Sequence, residues 1–153
     1  MSIYDNLKEL NISIHNAPDP VGSYVAFKKI TNLLYISGQI SMDDKGKITK
    51  GKLGKDLSVE EGMKAARLCA INIIAQANKA CENKLENITG CLKLTGYVNS
   101  TDNFVDQPKV INGASEIISK VFGDKAKHAR AAIRVNSLPL DAAVEIDAIF
   151  SVK

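Results

Sequence analysis

Two carboxylates stand two residues apart on a run that is otherwise apolar, Glu145 and Asp147 in Val144-Glu145-Ile146-Asp147-Ala148-Ile149-Phe150-Ser151-Val152. Side chains alternate across a strand, so both acids share one face with Ile149, and Val144, Ile146, Ala148, Phe150 and Val152 share the other. Just upstream, Arg130 and Arg134 share one parity while Ala131, Ile133 and Val135 share the opposite one. If the two runs form a hairpin through Leu138-Pro139-Leu140-Asp141, cations and carboxylates can face each other, in a register the turn decides. A guanidinium fork suits a two-oxygen anion, and a carboxylate can orient water and take its proton. The competing reading is structural, with Glu145 as a buried partner of Arg134. His128, two residues before Arg130, reads either as a strand-start surface residue or as an acid or base at a pocket rim.

Other chemistry is sparse. Cys69, Cys81 and Cys91 are spaced by 12 and 10 and fit neither a CxxC pair nor a disulfide framework, so they read as packed thiols of a reducing, cytoplasmic protein. With only His15 and His128 and no Cys/His cluster, no metal site is expected. No phosphate-cradling Gly-rich loop, nucleophile elbow or HExxH run occurs. Lys45, Lys47, Lys50, Lys52 and Lys55 lie among Asp43, Asp44 and Asp56 without an interleaved aromatic, which reads as a solvated loop rather than a nucleic-acid patch.

These residues need a scaffold. A chain of 153 residues fits one core, and 45% hydrophobic with 24% charged residues excludes disorder. No apolar run approaches the roughly 18 residues that cross a bilayer, and no secretory signal is visible. Ser2 to Leu10 predicts a short helix, an N-terminal extension over residues 1–16 that ends before Pro18 and Pro20. Tyr24 to Ile30 and Leu33 to Ile40 predict a hairpin, with Gly38 marking a bulge or a close backbone approach. Residues 41–57 predict a polar surface loop. Ser58-Val59-Glu60-Glu61 is a capping box opening a long helix whose stripe runs Val59, Met63, Ala66, Ala70, Ile73, Ile74, Ala77, Cys81. Cys91 to Asn99 predicts a strand, and Phe104 to Phe122 a second helix stopped at Gly123. The order is α+β, with two helices covering one sheet face; the other face then requires a partner, most economically a second copy.

The block Ala129-Arg130-Ala131-Ala132-Ile133-Arg134-Val135-Asn136-Ser137-Leu138-Pro139-Leu140-Asp141-Ala142-Ala143-Val144-Glu145-Ile146-Asp147-Ala148-Ile149 resembles the C-terminal signature of the RidA/YjgF family of reactive-intermediate deaminases. Ala17-Pro18, Val21-Gly22-Ser23-Tyr24-Val25 and Tyr35-Ile36-Ser37-Gly38-Gln39-Ile40 match its N-terminal elements in order, so the resemblance covers residues 17–153. His128 and Ser23 stand where the commonest pattern has proline, and Ala132 where many members have cysteine. With the added N-terminal helix, this marks a longer branch.

The resemblance implies a chorismate-mutase-like sheet with two helices on one face and a trimeric barrel on the other, with ligand clefts between subunits. It implies cofactor-independent hydrolysis of enamines and imines such as 2-aminoacrylate to 2-keto acids and ammonia. Arg130 falls on the residue that grips the substrate carboxylate, Glu145 on the one that activates water, and Tyr24 on a tyrosine from the adjacent subunit. Ser37, Gly38, Asn112 and Ala132 fall on pocket positions. The implied partners are small 2-imino or 2-keto carboxylates and two further copies of the chain, with neither membrane nor nucleic acid. The alternative is a non-catalytic trimeric module that binds small carboxylates or serves a regulatory, translation- or RNA-associated role.

Overall fold

The computed structural model describes residues 1–153. Its elements are α1 (Ile3–Glu9), β1 (Phe27–Ile30), β2 (Leu33–Ile40), α2 (Val59–Ala80), β3 (Ile88–Asn99), α3 (Gln107–Phe122), β4 (Ala129–Val135) and β5 (Val144–Val152). The five strands form one sheet in the order β1-β2-β5-β3-β4. This is the expected α+β layer, and no helix is long and apolar enough to cross a membrane.

The local signals act as expected. Ser58 accepts from the Glu61 amide while Glu61 reaches back to the Ser58 amide, closing two of the orphan donors at the start of α2. Ala66, Ala70, Ile73, Ile74 and Ala77 are buried beneath that helix, and Val110, Ile111, Ala114, Ile117, Ile118 and Val121 beneath α3. The two helices touch closely enough that a β-carbon on Gly113 would overlap the Met63 backbone. Gly96 lets α3 press on the sheet in the same way, since a side chain there would collide with Ile111. The β5 alternation is complete: Glu145, Asp147, Ile149 and Ser151 are partly buried while Val144, Ile146, Ala148, Phe150 and Val152 are buried.

Three expectations are corrected. Tyr24 and Val25 precede the first strand rather than opening it, because β1 begins at Phe27. The loop after β2 is not wholly a surface segment, since Leu53 is completely buried and its backbone bonds to Asn99 and Thr101. The largest correction concerns β4 and β5, which do not form a hairpin. β4 pairs in parallel with β3, Arg130 beside Leu94 and Arg134 beside Val98, while β5 lies antiparallel between β2 and β3. The helix α3 between β3 and β4 supplies the long crossover that parallel pairing requires.

That pairing sorts the charges. Leu94, Gly96 and Val98 of β3 sit beside Ala148, Ile146 and Val144, so Arg130, Ala132 and Arg134 belong to the helix-covered face. Thr95 and Tyr97 sit beside Asp147 and Glu145, which therefore belong to the open face. The arginines and carboxylates lie on opposite faces and do not confront each other within one chain. Arg134 instead pairs with Asp102 and donates to the Ser100 carbonyl.

The N-terminal segment packs on this core. Leu7 and Ile12 are buried, Asn6 donates to the Val121 carbonyl of α3, and Arg67 of α2 donates to the Leu10 carbonyl.

Candidate active site

Glu145 lies where β5 meets β2, opposite Ile40, immediately past a bulge between Ile36 and Gln39. The bulge brings Gly38 beneath the Glu145 side chain: a β-carbon at position 38 would overlap Oε1 and stand 2.9 Å from Cδ. Glycine is thus required so that the carboxylate can lie across the strand. Half-burial, and then the Asp147 charge two residues on, push the Glu145 carboxyl above its ordinary value. Asp147 itself accepts from the Tyr97 hydroxyl at 2.9 Å. Burial, together with that bond, raises the Tyr97 phenol in turn.

Glu145 and Gly38 line a cleft of about 490 Å³ with Tyr24, Met42, Asn72 and Leu140 among its walls. Tyr24 is 53% exposed and stands at the mouth. Ser37 is beside the cleft rather than in it, its hydroxyl donating to the Val25 carbonyl at 2.7 Å and its amide to that of Ala26 at 2.9 Å. It holds the chain that carries Tyr24 against the bulge.

Asn72 was not anticipated from sequence. It is buried on α2, donates to the Ile40 and Met42 carbonyls at 3.2 and 2.9 Å, and accepts from His15 Nε2 at 2.8 Å. A polar residue amid Ala70, Ile73 and Ile74 was the available signal, since such a position must satisfy its amide internally. Leu140 was likewise missed as a wall residue. It and Asp141 adopt left-handed backbone angles, φ 59° and 58°, which are costly for leucine.

A second cluster lies on the other face of the sheet, at its β4 edge. Arg130 Nη1 donates to Asn112 Oδ1 at 2.7 Å and to Ser115 Oγ at 3.2 Å, and Nη2 donates to the Pro108 carbonyl at 3.3 Å. Ala132 follows on the same face, partly buried against the core. The predicted residues therefore fall into two groups: Tyr24, Gly38 and Glu145 line one cleft, with Ser37 behind it, while Arg130, Asn112 and Ala132 are gathered beside α3. Within one chain the sheet keeps the groups apart.

Chemically, the first group offers an acid or base with a raised affinity for protons, inside a cleft large enough for a small organic molecule. The second offers a guanidinium with three of its five N–H groups committed to the protein, leaving donors on Nε and Nη2 for an anion. No cluster of three or more His, Cys, Asp or Glu residues is arranged to hold a metal ion.

Comparison with known proteins agrees with this architecture. Residues 8–150 match the family described as "YjgF/chorismate_mutase-like, putative endoribonuclease". Protein TCP17 of Trypanosoma cruzi is 40% identical over 94% of this chain and 90% of its own length. A RutC family protein of Pyrococcus horikoshii is 34% identical over 94% of this chain and 97% of its own. The crystal structure of the protein Atu1372 from Agrobacterium tumefaciens superposes with a TM-score of 0.91 at 43% identity, covering 99% of this chain and 94% of that one. With its bulge glycine, its β5 carboxylate and its β4 arginine in the order the sequence signature requires, the chain belongs to the RidA/YjgF family.

Proposed function

We propose that the protein hydrolyses small 2-imino acids, and the enamines that tautomerise to them, to 2-keto acids and ammonia, in a site completed between copies of the chain. The observation that carries this reading is the Glu145 carboxyl laid over Gly38 in the cleft, where burial and Asp147 favour its protonated form. Such a group can take a proton from water and give it back within one cycle. Family membership supports the general role.

In the proposed reaction Arg130 holds the substrate carboxylate through its free N–H groups. Glu145 removes a proton from water as the oxygen bonds to the carbon of the protonated imine, and the C=N electron pair moves onto nitrogen, so that C=NH2⁺ becomes a neutral amine. Protonation of that nitrogen by Glu145 lets the C–N bond break, and the remaining O–H proton is lost as the keto group forms. Ammonia and the 2-keto acid leave with all atoms accounted for. An enamine first gains a proton at its terminal carbon.

Arg130 and Glu145 of one chain point to opposite faces, so a site using both draws them from two subunits, the β4 edge of one against the cleft of its neighbour. The open sheet face, with Tyr35 and Ile133 exposed, supports association into a trimer. The test is release of ammonia and keto acid from 2-iminopropanoate and 2-iminobutanoate generated enzymatically in situ, with and without the protein. Acceleration over the uncatalysed rate is expected. Carboxylate binding without acceleration across a broad imine panel would point instead to the binding module.

A further inference from the structure

Arg130 is held by more than the groups the family pattern names. Pro108, Asn112 and Ser115 are spaced i, i+4 and i+7 on α3, so their acceptors form one stripe facing the guanidinium. Ser115 differs from the other two because a hydroxyl rotates freely and can donate or accept. Its rotor is set by His128. The imidazole Nδ1 lies 2.7 Å from the Ala126 carbonyl, which can only accept, so Nδ1 carries the proton. In the neutral ring Nε2 is then an acceptor, and Ser115 Oγ, 2.9 Å away, must donate to it. That leaves the Ser115 lone pairs facing Arg130 Nη1. With the imidazole neutral the chain runs in one direction: Arg130 donates to Ser115, Ser115 to His128, and His128 to Ala126.

We infer that Ser115 and His128 are positioning residues for Arg130, a two-step relay that fixes the guanidinium so that its free N–H groups meet the substrate carboxylate. Both ring nitrogens of His128 are engaged, so it acts through Ser115 and does not touch the substrate. The relay uses local geometry within one chain: Ser115 on α3, His128 just before β4, and Arg130 within β4. It rests on the carboxylate-binding reading of Arg130 for its consequence, though not for its existence.

The experiment has two readouts. In steady-state imine hydrolysis, or in calorimetric titration with pyruvate, Ser115→Ala is expected to raise KM or Kd by about three- to tenfold, an indirect effect smaller than the loss of a direct hydrogen bond between the substrate and a charged group. Because Glu145 is untouched, kcat should stay within about twofold of the parent. His128→Leu should do the same, His128→Gln, which keeps an acceptor for the hydroxyl, should restore most of the loss, and Ser115→Ala/His128→Leu should be no worse than either single change. Independently of any ligand, nitrogen-15 NMR of the arginine side chains should show slowed rotation about the Arg130 Cζ–Nη1 bond in the parent and faster rotation in both single variants. If Arg130→Ala leaves pyruvate affinity unchanged, the carboxylate reading fails while the NMR result still decides the relay. If Arg130→Ala weakens pyruvate but Ser115→Ala and His128→Leu alter neither affinity nor the arginine rotation, the relay is overturned and the reading stands.

Discussion

Glu145 rests where a side chain on Gly38 would begin, so the strand β2 and the carboxylate of β5 share one volume that only glycine allows. The clash that an added methyl creates is with the flexible end of a glutamate, not with backbone. Gly38→Ala should therefore displace the carboxyl while leaving the fold intact. Hydrolysis is expected to fall by about ten- to a hundredfold, a modest misplacement of an acid/base group, with a melting temperature close to the parent's. Unchanged turnover in a folded Gly38→Ala protein would separate this contact from the chemistry.

Glu145→Gln keeps the shape and removes the base. Rates should drop by roughly 10² to 10⁴, while pyruvate still binds in calorimetry. Full activity in this variant would remove Glu145 from the mechanism.

The raised affinity of Glu145 for its proton has a sign that can be checked twice. A native carboxyl that binds its proton more tightly than the unfolded chain makes stability fall as pH rises from the ordinary glutamate value through the raised one. Glu145→Gln should therefore be more stable than the parent at neutral pH, with the difference vanishing in acid below the ordinary glutamate range. If the deprotonated form is the active one, the acid limb of the pH–rate profile lies above that range, and Asp147→Asn, by deleting the second cause, should move it down. An acid limb that Asp147→Asn fails to move would assign the limb to another group.

Burial pushes the Cys91 thiol up to about 12 and raises Cys69 and Cys81 as well. All three side chains are buried. Ellman's reagent at pH 8 should leave the native protein essentially unlabelled and modify every cysteine after denaturation. Rapid labelling of a native thiol would contradict that burial.

Light scattering should give three times the chain mass of 16.5 kDa. Ile133→Asp, placing a charge on the open face where Ile133 is exposed, should lower that mass and abolish hydrolysis together if two chains build each site. A monomeric Ile133→Asp protein with full activity would rule out a shared site.

Much of this was legible in local sequence. The capping box at Ser58, the α2 and α3 stripes and the β5 alternation are written in periods of 3.6 and 2, which neighbouring residues impose on one another. Gly38 could be read as a close approach because no other residue type tolerates one. Strand pairing was not legible. The short link from Val135 to Val144 suggested a hairpin, yet β4 prefers β3 because α3 carries the chain back over the sheet, and nothing local encodes that. The parity of Arg130 and Arg134 was right, but their face depended on the pairing, so their confrontation with Glu145 was not. Ser115 was invisible, and Asn72 showed only as a polar residue on an apolar stripe, for a related reason: each matters through partners that are distant in sequence or that lie on another element.

The placement of β5 has a consequence for the order of events during synthesis. The last of these five strands to be synthesised is the middle of the sheet, flanked by β2 on one side and β3 on the other. Until residues 144–152 emerge, the β1-β2 ribbon and the β3-α3-β4 unit have no common strand, and both present unpaired edges to the surroundings. Closing the sheet and delivering Glu145 to Gly38 are the same event, so the cleft is completed only as the sheet is, and a chain stalled before residue 144 has neither.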